Sequence, residues 1–189
     1  MSTFAVYLEL GFTHITDLAG YDHILFLLAL CAAYTLTDWR RVLVLVTAFT
    51  IGHSFTLALS VLTKPLFASQ TIEFFIPITI VIACIFNIFY PKQKANSTYY
   101  LALFFGLFHG MGFSNYLRML LGAEESIIQP LFAFNIGLEL GQILIVGLIL
   151  SLSTIILRLF PVSFRAWTIA ISIFAGTVAS YLAWAVWQV

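Results

Sequence analysis

Charge is what this sequence has least of. Asp, Glu, Lys and Arg make up 8% of its 189 residues, against about 25% in soluble domains, which excludes an ordinary aqueous fold. No long polar stretch interrupts the chain, so no separate aqueous domain is expected. The eight basic and eight acidic residues cancel, and nothing in that balance points to nucleic acid. Short alternating strand-like segments are missing too, which argues against an outer-membrane barrel. Cysteine is nearly absent: Cys31 and Cys84 both sit inside apolar runs and read as small hydrophobes rather than a disulfide or thiolate ligands. The first residues carry no basic stretch and no small-residue cleavage pattern, so no signal peptide is expected and the first helix should remain in the mature protein.

What is present is apolar. Hydrophobic residues reach 62% and mean hydropathy is +1.06, in runs long enough for helices that cross a bilayer. The expected fold is an all-α, polytopic membrane helical bundle forming one domain over 1–189. Residues 1–19 form an N-terminal interfacial helix, with Phe4, Tyr7, Leu8, Phe12 and Ile15 at helical spacing. About six transmembrane helices follow, at about 20–37, 41–62, 72–90, 99–121, 129–157 and 166–187. The loops after the first, third and fifth spans hold Arg40, Arg41, Lys92, Lys94, Arg158 and Arg165, while the other side has Lys64 and Arg118. Positive-inside bias therefore predicts a multi-pass protein of the cytoplasmic membrane with both termini outside the cytoplasm.

The rare polar residues recur at one depth. Counting about 1.5 Å per residue, His53 lies roughly 18 Å into its span from the cytoplasmic side, His109 roughly 15 Å from the same side, and Glu139 roughly 15 Å from the outer side. His14, Asp22, His23 and Glu73 belong to the outer ends of their segments. All four histidines of the chain thus fall in or beside the outer half of the bilayer. A charged group there costs roughly 2.5–3.5 kcal/mol on insertion scales unless something pairs with it. In the fifth span Asn135, Glu139 and Gln142 follow i, i+4, i+7 on one helix face, with Gly137 and Gly141 as a small-xxx-small pair on another.

Each residue also has an ordinary reading. A single intramembrane histidine is commonly an interhelical hydrogen bonder, and Ser54, Thr50 or Thr56 could satisfy His53. Glu139 could be a neutral hydrogen-bonded acid, Glu9 and Asp17 solvated charges, and Glu124 and Glu125 loop charges. Taken together, the residues point to a metal. Imidazole with carboxylate suits Ni, Co, Zn, Fe or Cu, and spacing does not distinguish them. The candidate ligands are His14, Asp22, His23, His53, His109 and Glu139, with Asn135, Gln142 and Ser54 orienting them.

Four blocks carry a resemblance to a known family. They are His14 with Gly20-Tyr-Asp-His23, Phe49-Thr-Ile-Gly-His-Ser-Phe-Thr-Leu57, Phe105-Gly-Leu-Phe-His-Gly-Met-Gly-Phe113 and Phe134-Asn-Ile-Gly-Leu-Glu-Leu-Gly-Gln142. In this order they resemble the more divergent second branch of the HupE/UreJ membrane proteins. That family is associated with hydrogenase and urease accessory systems and regarded as nickel or cobalt permeases. The better-studied branch has His-Pro where this chain has His14-Ile15, and a second histidine where this chain has Gly112-Phe113. The resemblance implies a metal ion and a lipid bilayer as partners, and leaves open a homo-oligomer or metalloenzyme-maturation partners.

The expected function is a nickel- or cobalt-like divalent-cation permease or metal-binding membrane protein. In this reading His14, Asp22 and His23 capture the ion, and His53, His109 and Glu139 hold it at mid-depth. One alternative is an intramembrane zinc hydrolase acting on lipid, using the same histidines, a carboxylate and Ser54. Another is a sensing or chaperone subunit that holds the ion without moving it.

Overall fold

Apolar helices carrying small residues at regular spacing can pack backbone against backbone, and this bundle is assembled that way. The computed structural model describes residues 2–63, 67–90, 95–121 and 126–188. Lys64, Lys92, Lys94, Glu124 and Glu125 lie outside these described residues. The chain folds as α1 (Thr3–Thr16), α2 (Tyr21–Cys31), a 3-10 turn (Leu36–Asp38) running into α3 (Trp39–Leu62), α4 (Ser69–Phe89), α5 (Ala95–Leu121), α6 (Ile128–Leu159) and α7 (Phe164–Trp187). There is no strand among the described residues.

Four segments among the described residues are long and apolar enough to cross a bilayer: Leu36–Leu62, Ser69–Phe89, Ile128–Leu159 and Phe164–Trp187. Their outward faces stay apolar. Leu144, Leu148, Leu152 and Ile155 are all exposed along α6, a continuous greasy stripe that suits lipid and not water. α2 has 11 residues and covers about 16 Å, roughly half a hydrocarbon core. The segment expected at 20–37 is therefore helical through Cys31 and then turns. α1, expected to lie along an interface, packs lengthwise on α6 and buries Tyr7, Gly11 and Ile15, its i, i+4, i+8 stripe.

Glycine sets how closely the helices meet. A Cβ on Gly52 of α3 would strike the Leu103 carbonyl of α5; on Gly106 it would strike the Phe49 carbonyl, and on Gly110 the His53 carbonyl. The α1–α6 crossing repeats the device: Gly11 lies on the Phe134 carbonyl, Gly137 on the Leu8 carbonyl, and Gly141 against Ile15. The third close pair is α4 with α7.

Helix ends are finished by side chains. Ser2 and Ser163 accept from the first-turn amides of α1 and α7. Arg118 donates to the Ser60 and Thr63 carbonyls at the end of α3, and Arg165 to the Asn87 and Ile88 carbonyls at the end of α4. Cationic groups there satisfy orphan carbonyls and meet the negative end of the helix dipole.

Two apolar clusters result. One gathers Phe26, Phe49 and Phe105 with the α2–α4–α7 contacts, and the other gathers Ile15, Leu117, Phe134 and Leu138 around α1, α5 and α6.

Gly106→Val forces α3 and α5 apart and is expected to destabilise the protein by at least about 1–3 kcal/mol, the usual cost of overpacking. Gly147 has nothing within 4 Å of an added Cβ, so Gly147→Ala should be neutral or stabilising by up to about 1 kcal/mol. Unfolding in detergent, followed by circular dichroism, measures both. Equal stability of the two variants would mean that the glycine contacts do not hold the bundle together.

Candidate metal centre

The four histidines occupy the boundary between the two apolar clusters, on four different helices. His14 comes from the last turn of α1, His23 from the first turn of α2, His53 from α3 and His109 from α5. The close glycine contacts fix two of them. Gly106 abuts the backbone nitrogen of His53 and Gly110 abuts its carbonyl, and Gly110 follows His109 directly.

His14, His23 and His53 each offer a ring nitrogen, and these atoms lie within 4.8 Å of one another. Ring centroids are 4.7 Å apart for His14–His23, 6.1 Å for His14–His53 and 6.4 Å for His23–His53. Metal–nitrogen bonds of about 2.1 Å in a tetrahedral set put the nitrogens about 3.4 Å apart. An inward shift of about 1 Å by the rings would therefore close them on an ion. His109 stands behind His23, with ring centroids 5.5 Å apart.

The hydrogen bonding is what sets this group apart. His14 Nε2, both ring nitrogens of His23 and of His53, and His109 Nε2 are buried without a hydrogen-bond partner. His23 is 6% exposed, His53 0% and His109 1%, so the rings are almost wholly enclosed. Each such orphan costs about 1–3 kcal/mol. His109 Nδ1 lies 2.9 Å from the Phe105 carbonyl; a carbonyl can only accept, so Nδ1 carries the proton and Nε2 keeps a bare lone pair. Asp22 Oδ1 accepts from the His23 backbone amide at 2.9 Å. It also lies 3.1 Å from His23 Nδ1, a contact that does not meet the geometry of a hydrogen bond.

Around the histidines stands a wall of rings. Phe113 lies 3.9 Å from His14, and Phe134 lies 6.4 Å from His53 in a stacked orientation. Phe26 and Phe49 lie 5.4 and 5.1 Å from His109. One side is open. A cavity of about 700 Å³ is lined by His14, His23 and His109, with Asp17, Asp22 and Glu73 among its walls. Its charged lining residues are carboxylates, without lysine or arginine.

The other expected site residues form a separate seam between α3 and α6. Thr47 donates to Glu139 Oε1 at 2.7 Å, Thr50 to Gln142 Oε1 at 2.7 Å and Ser54 to Asn135 Oδ1 at 2.6 Å. Glu139 is not part of the group whose ligand atoms converge. Sequence reasoning found the α6 half of this seam and named Ser54 and Thr50 of the α3 half, but as neighbours of His53; it missed Thr47, although Thr47, Thr50 and Ser54 follow i, i+3, i+7 and mark the matching face. It also missed that the phenylalanines of the histidine-bearing blocks build the wall around the rings.

No curated protein and no solved structure matches this chain. A family model does, the one described as HupE / UreJ protein, over residues 1–189. That family is associated with nickel or cobalt transport or accessory functions, in keeping with a buried histidine cluster among apolar helices. By this full-length match, the chain belongs to the HupE/UreJ family.

Proposed function

We propose that the chain is a permease for a divalent transition metal, nickel or cobalt, in the cytoplasmic membrane, with six spans and both termini outside. The observation that carries this reading is the set of six buried, unpartnered imidazole nitrogens, five of them on the three residues whose ligand atoms converge. Each neutral imidazole has one lone pair, and a cation that accepts it removes the cost of burying that nitrogen bare.

The carboxylates of the open cavity, Asp17, Asp22 and Glu73, draw cations toward it. His14, half-buried at its edge, meets the ion first, and His23 and His53 complete a three-imidazole set. Asp22 offsets charge beside His23. His109, its Nδ1 held on Phe105, presents Nε2 as the next ligand along the path. Glu139, Asn135 and Gln142 hold α6 against α3 through the seam and keep His53 in place. Ser54 lies 2.6 Å from both the Thr50 carbonyl and Asn135 and does not line the cavity, so it belongs to the seam and not to the surroundings of the ion.

Purified protein titrated with Ni(II) or Co(II) in detergent should bind with high affinity. His23→Ala and His53→Ala should each weaken binding at least tenfold, while exposed Glu9→Gln should not change it. Glu139→Gln, outside the convergent set, should weaken it less than tenfold. Wild-type affinity in both histidine variants would sink the metal reading. Uptake of the same ion into proteoliposomes separates a permease from a protein that only holds metal.

Orientation has its own check. A reporter enzyme fused after Val189 that works only outside the cytoplasm should be active, and one that works only inside should be silent. The reverse pattern would invert the topology.

A further inference from the structure

The end of α2 leaves a space that its neighbours do not fill. The helix stops at Cys31 after 11 residues, about 16 Å and roughly half a hydrocarbon core. Neighbours hold the stop in place: Asn87 of α4 donates to the Ala29 carbonyl at 2.7 Å, and Thr168 of α7 to the Ala32 carbonyl at 2.9 Å. The chain then turns through Leu36–Asp38 into α3. A second cavity, of about 710 Å³, opens beside that last turn. It is walled by the C-terminal ends of α2 and α4 and the N-terminal ends of α3, α5 and α7. Close-packed interiors do not keep voids of that size, whereas ligand sites commonly have it.

The lining changes character from rim to floor. Arg40, Arg41 and Arg165 are exposed, as are Val44 and Tyr90, whereas Phe26, Ala29, Leu45, Ala102 and Phe105 are buried. Among the described residues the charged lining is three guanidinium groups and one carboxylate, that of Asp38. Asp38 already accepts from Thr35 and lies 3.8 Å from Arg41. Arg165 is spent on the Asn87 and Ile88 carbonyls but keeps its charge. Arg40 and Arg41 stand in the first turn of α3 and Arg165 in the first turn of α7, where the positive ends of the helix dipoles add to the field.

The two halves of this lining select the occupant. A cation is repelled by the arginines, and water finds few partners on the apolar floor. A free phosphate would suit the rim and leave the floor bare. A lipid with an anionic headgroup suits both, because its phosphate accepts from guanidinium groups and an acyl chain covers the floor. The arginines also belong to the face that positive-inside bias turns to the cytoplasm, where basic pockets between membrane helices meet anionic headgroups.

We infer that this cavity binds one anionic phospholipid, with its phosphate at Arg40 and Arg41 and an acyl chain on the floor at Phe26 and Phe105. The site is independent of the metal reading, and either can fail without the other.

The test is lipid retention by the full-length protein in a nonionic detergent. Equal amounts of phosphatidylglycerol and phosphatidylcholine are added, and native mass spectrometry counts the lipid that stays bound. Wild type should keep one phosphatidylglycerol per chain, in preference to phosphatidylcholine by roughly tenfold or more. Arg40→Gln and Arg41→Gln should each weaken that retention about fivefold, the effect of one basic group beside an anionic headgroup. Arg158→Gln, at an exposed basic residue in the last turn of α6 that does not line the cavity, should change nothing. Excess inorganic phosphate should not displace the lipid. Equal retention of the two lipids by wild type overturns the proposal, even where a variant fails to fold. Full retention in both cavity variants overturns it as well. Equal loss in Arg158→Gln would make the attraction a diffuse surface effect and remove the site. Displacement by inorganic phosphate would make this a site for the free anion and remove the lipid.

Discussion

A polar group among apolar helices has no water to fall back on, and the rest of this structure depends on that constraint. Most of its polar side chains answer it locally. Thr16, Thr56, Thr154 and Ser180 donate to the carbonyl one turn back in their own helix, and the threonines, serine, amides and carboxylate of the α3–α6 seam answer one another. Arg118 Nε, Gln142 Nε2 and Trp167 Nε1 are single unpartnered atoms, whereas the histidines gather six in one place. A chain that satisfies a serine on α7 leaves six imidazole nitrogens without a partner, on four rings that each carry one lone pair when neutral.

Backbone contact sets where the histidines stand. The α3–α5 crossing brings Gly106 and Gly110 onto the peptide groups on either side of His53, so the backbone bearing its ring cannot shift without opening one of the two closest joints in the bundle. On α1, Gly11 lies one turn before His14 and is held against α6 in the same way. Rigid joints suit ligands that must keep a fixed spacing. α2 is built differently. It is short and hydrogen-bonded to its neighbours at its C-terminal end, and it carries His23 into a site whose other two convergent ligands are braced by glycine.

The sequence was most legible where chemistry and spacing were both unusual. Scarce charge and long apolar runs announced helices for a bilayer, and the four histidine- and glycine-bearing blocks announced the family, which the full-length match bears out. The rarity of histidine drew attention to the residues that the fold brings together. Depth along a helix, however, gives height and not azimuth. Glu139 has a suitable height, yet it turns to Thr47; His14 belongs to a segment too short to be read as a span, yet it joins the convergent three because α1 lies along α6. The length of α2 was hidden for a similar reason. Ala32 and Ala33 continue the apolar pattern, while the helix ends at Cys31, where Thr168 of α7 reaches the Ala32 carbonyl. Tertiary contacts of that kind leave no local trace in the sequence.

The charged side chains that line the two cavities divide largely by sign. Arg118 and Arg165 both cap helix C-termini, but only Arg165 also lines a cavity, together with Arg40 and Arg41; the carboxylates Asp17, Asp22 and Glu73 line the other. The two cavities therefore carry local fields of opposite sign. A cation is attracted to the cavity where His14, His23 and His109 stand beside carboxylates, and is repelled from the arginine-lined one. The scarce charge of the chain thus draws a cation to the histidines and keeps it from the other cavity.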